Sequence, residues 1–329
     1  MRIGVTYDLK SDYLKEGFPP EAVAEFDCEE TIEGIVRGIR AAGHEADPIG
    51  SIRVLVHRLD AGDRWDMVFN IAEGVSGMGR EAEVPALLEA YGIPCTFSGP
   101  DLMALTLNKA VTSAVVRAGG VRTADFFLVK TYADIRRMPL AYPVFAKPVA
   151  EGTSKGITAK SCIRNEEELH EVCTELLLRF NQPVLVETFL PGREFTVGIL
   201  GSGEQAYAVG TAEIILGDKA DRQAYTYDNK QQYADRVRYV LVNEPDVAAE
   251  ALRAWNVLGC LDAGRVDIRM NAAGEPCFME VNPLAGLNPT YSDLPILCRM
   301  AGMPYDELIC RIIRSAENRL PARMLDRAV

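Results

Sequence analysis

The stretch Gly264-Arg265-Val266-Asp267-Ile268-Arg269-Met270, followed by Phe278-Met279-Glu280-Val281-Asn282-Pro283, decides how the chain is read. Between the two runs, Asn271-Ala272-Ala273-Gly274 has turn chemistry, so the pair reads as a β-hairpin. Alternation along a strand puts Arg265, Asp267 and Arg269 on one face, and likewise Glu280 and Asn282. If the faces coincide, two carboxylates and a carboxamide converge beside an arginine. Oxygen ligands of that type suit magnesium, which keeps waters and shares its shell with nucleotide phosphates. The plain alternative is a solvated hairpin face, where alternating charge is common.

Upstream, Phe145-Ala146-Lys147-Pro148 is followed by Glu151-Gly152-Thr153-Ser154-Lys155-Gly156. A lysine that closes an apolar strand just before a small, glycine-bearing loop can hold a phosphate while loop N–H groups cradle its oxygens. Gly152 to Gly156 also fits G-x-S-x-G, the nucleophile elbow of serine hydrolases. That elbow needs a strand directly before it and a helix directly after. Ile157-Thr158-Ala159 reads as strand instead, which disfavours a hydrolase. A merely structural loop is the other alternative.

Further out, apolar spacing predicts a first strand over residues 2–7, a helix over 29–42 closed by Gly43, and a strand over 67–71. A Gly-rich turn, Gly74 to Gly79, and a helix over 83–91 follow, which suggests a parallel-sheet unit over the first hundred residues. The second region is expected to hold one helix over 102–118, a strand closing at Lys147, another from Ile157, and a helix capped by Asn165 with Glu168. A strand over 184–187 leads into a third, strand-rich region (194–200, 205–209, 238–242, 265–270, 276–281), with helices over 246–258 and 305–317. The expected division is 1–100, 101–186 and 187–329.

The 329 residues carry 35 − 47 = −12 formal charges, so the surface is expected to repel nucleic acid. No apolar run approaches a membrane span, and the start lacks a signal peptide's apolar core, so a cytoplasmic protein is expected. Eight cysteines without any CxxC, and only three histidines, speak against a zinc site or a disulfide scaffold. Most of these cysteines are expected to be small core residues.

Six segments in this order resemble the ATP-grasp superfamily, and within it the D-alanine–D-alanine ligase group. They are Asn108-Lys109, Ala146-Lys147-Pro148 with Glu151-Gly152-Thr153-Ser154, Val186-Glu187 through Leu190-Pro191-Gly192-Arg193-Glu194, Tyr225-Thr226-Tyr227-Asp228-Asn229-Lys230, Gly264 to Asp267, and Met279 to Leu287. The resemblance covers essentially the whole chain and is weakest over the first hundred residues. It implies an α/β (α+β) ATP-grasp fold, with an N-terminal parallel-sheet domain and the nucleotide between the central and C-terminal domains. It implies an ATP-dependent carboxylate–amine ligase acting through an acyl phosphate and releasing ADP and phosphate. A D-alanine–D-alanine ligase proper, or a catalytically reduced ATP-binding regulatory module, are the alternatives. The resemblance also implies small carboxylate and amine substrates and a homodimer.

Residue by residue, the resemblance implies that Lys109 and Lys147 contact ATP phosphates. Glu187, Thr188 and Leu190 would line the adenine pocket, and Glu194 would take the ribose hydroxyls. Lys230, on a loop over residues 225–232, would approach the γ-phosphate. Asp267, Glu280 and Asn282 would hold two magnesium ions, with manganese as a substitute. Arg265 and the N–H of Gly286 would steady the tetrahedral intermediate, near Thr153 and Ser154, and Ser292 would meet the acceptor's carboxylate.

The chain departs from the group's pattern on the donor side. Gln231 follows Lys230 where the group has tyrosine, Thr153 takes a serine's place, and Glu73 stands where the group has a His-Gly pair. A long acidic and aromatic segment, Asp8 to Glu29, replaces a short Gly-rich turn. D-alanine is therefore expected to be a poor donor. Glu73, Arg80 and Glu81, with Asp8 and Asp27, suggest a donor bearing a cationic group, unless Arg80 instead fixes its carboxylate.

Overall fold

The computed structural model describes residues 1–216 and 237–320. The expected loop over residues 225–232, with Lys230 and Gln231, lies outside them.

Among the described residues the strands form three sheets. β1 (Arg2–Thr6), β2 (Glu45–Gly50) and β3 (Met67–Asn70) make a parallel sheet in the order β2-β1-β3. β1 and β3 are buried almost throughout, as their unbroken apolar runs require of strands covered on both faces. The helix Glu29–Ala41 turns Ile32, Ile35, Val36 and Ile39 inward against this sheet. Helix Tyr305–Glu317, from the far end of the chain, packs on its outer side. The two helices approach closely because Gly38 has no side chain: a Cβ there would lie 2.6 Å from Cβ of Ile309.

β4 (Phe126–Val129), β5 (Val144–Pro148), β6 (Cys162–Ile163) and β7 (Val184–Thr188) form an antiparallel sheet in the order β4-β7-β5-β6. Helix Glu166–Phe180 covers it, and Asn165 caps that helix by accepting the Glu168 N–H at 2.9 Å. β8 (Glu194–Leu200), β9 (Tyr207–Leu216), β10 (Val237–Val242), β11 (Ala263–Met270) and β12 (Pro276–Asn282) form the third sheet, β10-β9-β8-β11-β12, antiparallel throughout. Helix Pro245–Leu258 buries Trp255 against it.

Two expected elements are corrected. The single helix over 102–118 is two, Pro100–Leu107 and Lys109–Ala118. Asn108 leaves the helical region (φ −87°, ψ 94°), and its side chain accepts the Val111 N–H at 3.2 Å. A residue that can satisfy the next helix's first amides favours a break over continuation. No strand starts at Ile157 either. Thr158 accepts from Lys160 and donates its own N–H to Ser161 Oγ at 3.0 Å, closing a 3₁₀ turn over Ala159–Ser161. β2, β4 and the helices Ile52–Asp60 and Asp293–Met300 are additional to the elements expected from the sequence. All eight cysteines are free and six are buried, in keeping with a packing role. Among the described residues no helix is long and apolar enough to cross a membrane.

Candidate active site

The hairpin is present and its register decides what it presents. Arg265 pairs with Asn282 and Asp267 with Glu280, so all four side chains share one face. The register slips between Asp267 and Ile268, passing over Met279, a bulge beside the charged cluster. At the turn, Asn271 Oδ1 accepts from the N–H groups of Ala273 and Glu275, both at 2.9 Å.

Two other elements bring cations to this face, beside the hairpin's own Arg265. Lys109 stands at the start of the helix that Asn108 caps, and its Nζ lies 3.6 Å from Glu280. The same Nζ donates to the carbonyl of Glu151 at 2.5 Å. Lys147, near the end of β5, is buried and lies 2.7 Å from Glu187 on the neighbouring β7. Burial alone would strip its charge, but Glu187 and Glu280 together hold it protonated above the ordinary lysine value. Arg265 donates to both oxygens of Asp267 at 2.6 Å and lies 3.5 Å from Asp293. Burial pushes the Asp267 carboxyl upward, with Arg265 opposing and Glu280 adding to the rise. Glu194, at the start of β8, is likewise raised by burial, and Arg269 lies 3.3 Å from it.

These side chains line one cavity of about 260 Å³ between the second and third sheets. Lys109, Lys147, Glu194, Arg265, Asp267, Glu280 and Asn282 all border it. So do Thr153, Ser154, Gly286 and Ser292. Thr153 and Ser154 sit in the left-handed region (φ 50° and 56°), and no helix follows them, so the nucleophile-elbow reading fails on geometry. Ser292 Oγ accepts the Asn288 N–H at 3.0 Å. Glu187, Thr188 and Leu190 are not among the cavity's lining; Glu187 reaches the site only through Lys147, and the Thr188 N–H is bonded to the Asp125 carbonyl at 2.8 Å.

The first sheet closes the cavity's other end with Glu73, Glu81 and Asp27. Burial, then the neighbouring Glu81, Glu25 and Asp27, push Glu73 well above the ordinary carboxylate value. Burial raises Asp27 to about 7, against a hydrogen bond from Thr31. Arg80 does not reach the lining. Its guanidinium is buried, 3.2 Å from Glu25 and 3.1 Å from the Ala150 carbonyl. Its contacts are therefore made to the protein, away from the lining.

The sequence reading assigns no site role to Glu25, Lys155, Arg269 or Asp293, although Arg269 and Lys155 stand in the quoted segments. Arg269 and Asp293 were findable, since Arg269 shares the face of Arg265 and Asp267 and Asp293 directly follows Ser292. Glu25 carried no such signal, because Arg80 and Lys155 are distant from it in sequence; Lys155 has a near partner in Glu151 at 3.7 Å, but its contact with Glu25 is long-range.

The family described as "D-ala D-ala ligase C-terminus" matches residues 109–314. The D-alanine–D-alanine ligase of Bordetella petrii is 31% identical over 310 residues, 88% of each chain. That of Bordetella pertussis is 33% identical over 294 residues, 85% of this chain and 90% of the relative. Among solved structures, D-alanine–D-alanine ligase from Bacillus anthracis complexed with ATP superposes with a TM-score of 0.72 at 19% identity, over 97% of this chain and 98% of that one. VanG D-Ala:D-Ser ligase from Enterococcus faecalis gives 0.72 at 18% identity, over 96% and 99%. A family match over more than half the chain, together with relatives above 30% identity along most of their length, places this protein in the D-alanine–D-alanine ligase family of ATP-grasp proteins.

Proposed function

We propose that the protein is an ATP-dependent ligase that joins an amino-acid carboxylate to an amine, releasing ADP and phosphate. One observation carries this reading: Lys109, Lys147 and Arg265 meet Asp267, Glu280 and Asn282 around a single cavity. A reaction that brings a carboxylate up to a triphosphate concentrates negative oxygens, and fixed cations beside metal-binding oxygens are what it needs.

The oxygen-rich set on the hairpin fits a divalent cation. Asp267 is buried, and Glu280 and Asn282 share its face of the hairpin, so two carboxylates and a carboxamide oxygen stand together beside the cavity. Among the described residues no three acidic, histidine or cysteine side chains form a complete cage. Magnesium takes the rest of its shell from nucleotide phosphates and water, so a site offering a few protein oxygens suits it. When bound, the metal would neutralise phosphate charge; Asp267, Glu280 and Asn282 would hold it, as two ions or one.

In the proposed sequence a donor carboxylate oxygen attacks the γ-phosphorus, ADP leaves, and the acceptor nitrogen then attacks the acyl carbon, expelling phosphate. Lys109 and Lys147 would fix the phosphates. Arg265 and the Gly286 N–H would face the oxyanion formed at the acyl carbon, and Ser292 the acceptor's carboxylate. Lys230 would join the γ-phosphate from outside the described residues. Glu187, Thr188 and Leu190 would bear on the adenine and Glu194 on the ribose. The proposal extends to a cytoplasmic homodimer of three units, residues 1–100, 101–186 and 187–329. A pairwise amino-acid screen for ADP formation, with products read by mass spectrometry, tests it. ADP release that needs two amino acids supports the ligase, and tight ATP binding without turnover in any pair points to a regulatory module instead.

A further inference from the structure

The segment from Asp8 to Glu29, which replaces a short turn, is not a loose insertion. Tyr13, Val23 and Phe26 are buried together, with Phe18 and Val75 packed against them. The Tyr13 hydroxyl donates to Asp8 at 2.6 Å, and Asp8 accepts the Gly74 N–H at 2.9 Å. The segment is thus tied down on the Gly-rich turn and delivers Glu25 to a fixed place.

That place is buried and doubly cationic. The Glu25 side chain is 8% exposed, and its Oε2 lies 3.2 Å from both Arg80 and Lys155. Lys155 belongs to the Gly152–Gly156 loop, whose Thr153 and Ser154 line the cavity in left-handed conformations. Two successive non-glycine residues hold that conformation only where surrounding contacts impose it. The contacts are visible. A Cβ on Gly152 would come within 2.2 Å of Glu25 Oε1, so the carboxylate lies directly against the loop backbone. Arg80 and Lys109 take the carbonyls of Ala150 and Glu151 just before it. Burial would raise the Glu25 carboxyl, but Arg80 and Lys155 outweigh it and keep Glu25 ionised.

We propose that Glu25 is a positioning residue for the reaction: gripping Lys155 and Arg80, it fixes the Gly152–Gly156 loop where its amides meet the nucleotide's phosphates. The inference rests on the ligase reading above. It assigns to the Asp8–Glu29 segment, whose Glu25 and Asp27 border the same cavity, a part in ATP binding.

The test is calorimetric binding of ATP and of adenosine to wild type and to E25Q, E25D, K155M and E25Q/K155M, with KM for ATP and kcat alongside. Loosening the loop should weaken ATP about tenfold or more, since small misplacements of a binding group are costly, and should leave adenosine unchanged. E25D, which keeps the charge, should recover part of the loss. The double variant should be no worse than the poorer single one, because both residues act through one contact. If E25Q does not fold, K155M and G152A carry the same test. Unchanged ATP affinity in folded variants, or equal loss for ATP and adenosine, would overturn the role of Glu25 alone. Wild-type protein that binds no ATP would overturn the ligase reading with it.

Discussion

Asp267 and Glu280 face each other across the β11–β12 hairpin, and both carboxylates open into the cavity that Lys109 and Lys147 border. Each residue comes from a different strand, so neither can leave the site without breaking the register. Glu280→Gln keeps the shape of the side chain and removes its charge. A lost metal ligand removes several kcal/mol of charge stabilisation, so magnesium-dependent ADP formation should fall by ~100-fold or more. Circular dichroism and melting temperature should stay near wild type. A variant that retains most of its ADP formation at saturating magnesium would remove Glu280 from the metal site.

Lys147 should bind charge, not shape. Lys147→Ala is expected to weaken ATP by about ten- to a hundredfold, the order of one charge-assisted contact with phosphate. Adenosine should bind as before. The substitution also strips Glu187 of its partner at 2.7 Å, so Lys147→Ala/Glu187→Gln belongs in the same titration. If ATP and adenosine weaken equally in both variants, Lys147 is structural.

The hairpin and the Lys147 strand were legible because their information is local. Alternation assigned Asp267, Glu280 and Asn282 to faces, and a four-residue turn fixed which strands would pair. The break at Asn108 was also local, yet the apolar spacing on either side hid it, and only the cap's hydrogen bond reveals the second helix. Thr158 misled in the same way: its hydroxyl closes a turn where β-branching suggested a strand. The Glu25–Arg80–Lys155 cluster was illegible for a different reason. Its members are 55 and 75 residues apart in the cases of Arg80 with Glu25 and Lys155 with Arg80, and no periodicity reports a contact between segments that far apart.

Away from the site, Asp47 on β2 sets a pH dependence of stability. It accepts two hydrogen bonds from Arg58, both at 2.9 Å, and one from Trp65 at 2.9 Å. Arg58 first, with Trp65 and Arg2, lowers its carboxyl to about 2 against the opposing effect of burial. A carboxylate in the unfolded chain titrates near ~3.9. The folded value is the lower one, so this contribution is present above about pH 4 and is lost as pH falls toward about 2. Asp47→Asn should therefore cost about 2 kcal/mol at neutral pH, and the gap between variant and wild type should close on acidification. Urea unfolding from about pH 7 down to the acid limit checks it; a gap that stays constant would mean that Asp47 contributes packing and not charge.

The donor is where this chain should part from its relatives. Glu73, Glu81 and Asp27 border the end of the cavity formed by the first sheet, and Arg80, which offsets Glu73 and Glu81 only in part, is held by Glu25 and the Ala150 carbonyl outside the lining. Burial and the acids around it push Glu73 upward, and burial raises Asp27; a cation relieves both, so that end of the cavity suits an ammonium or a larger cationic group on the donor. A site built around such polar groups discriminates strongly against a substrate that leaves them unpaired. D-alanine as the only amino acid is expected to give little ADP, and an unlike pair with a cationic donor to give more. Glu73→Gln should raise KM for the donor about tenfold or more, the order of one unpaired charged contact, and leave ATP affinity unchanged. Robust formation of D-alanyl-D-alanine by wild type, with Glu73→Gln neutral, would show that these acids only solvate the rim and that the chain makes the same product as its relatives.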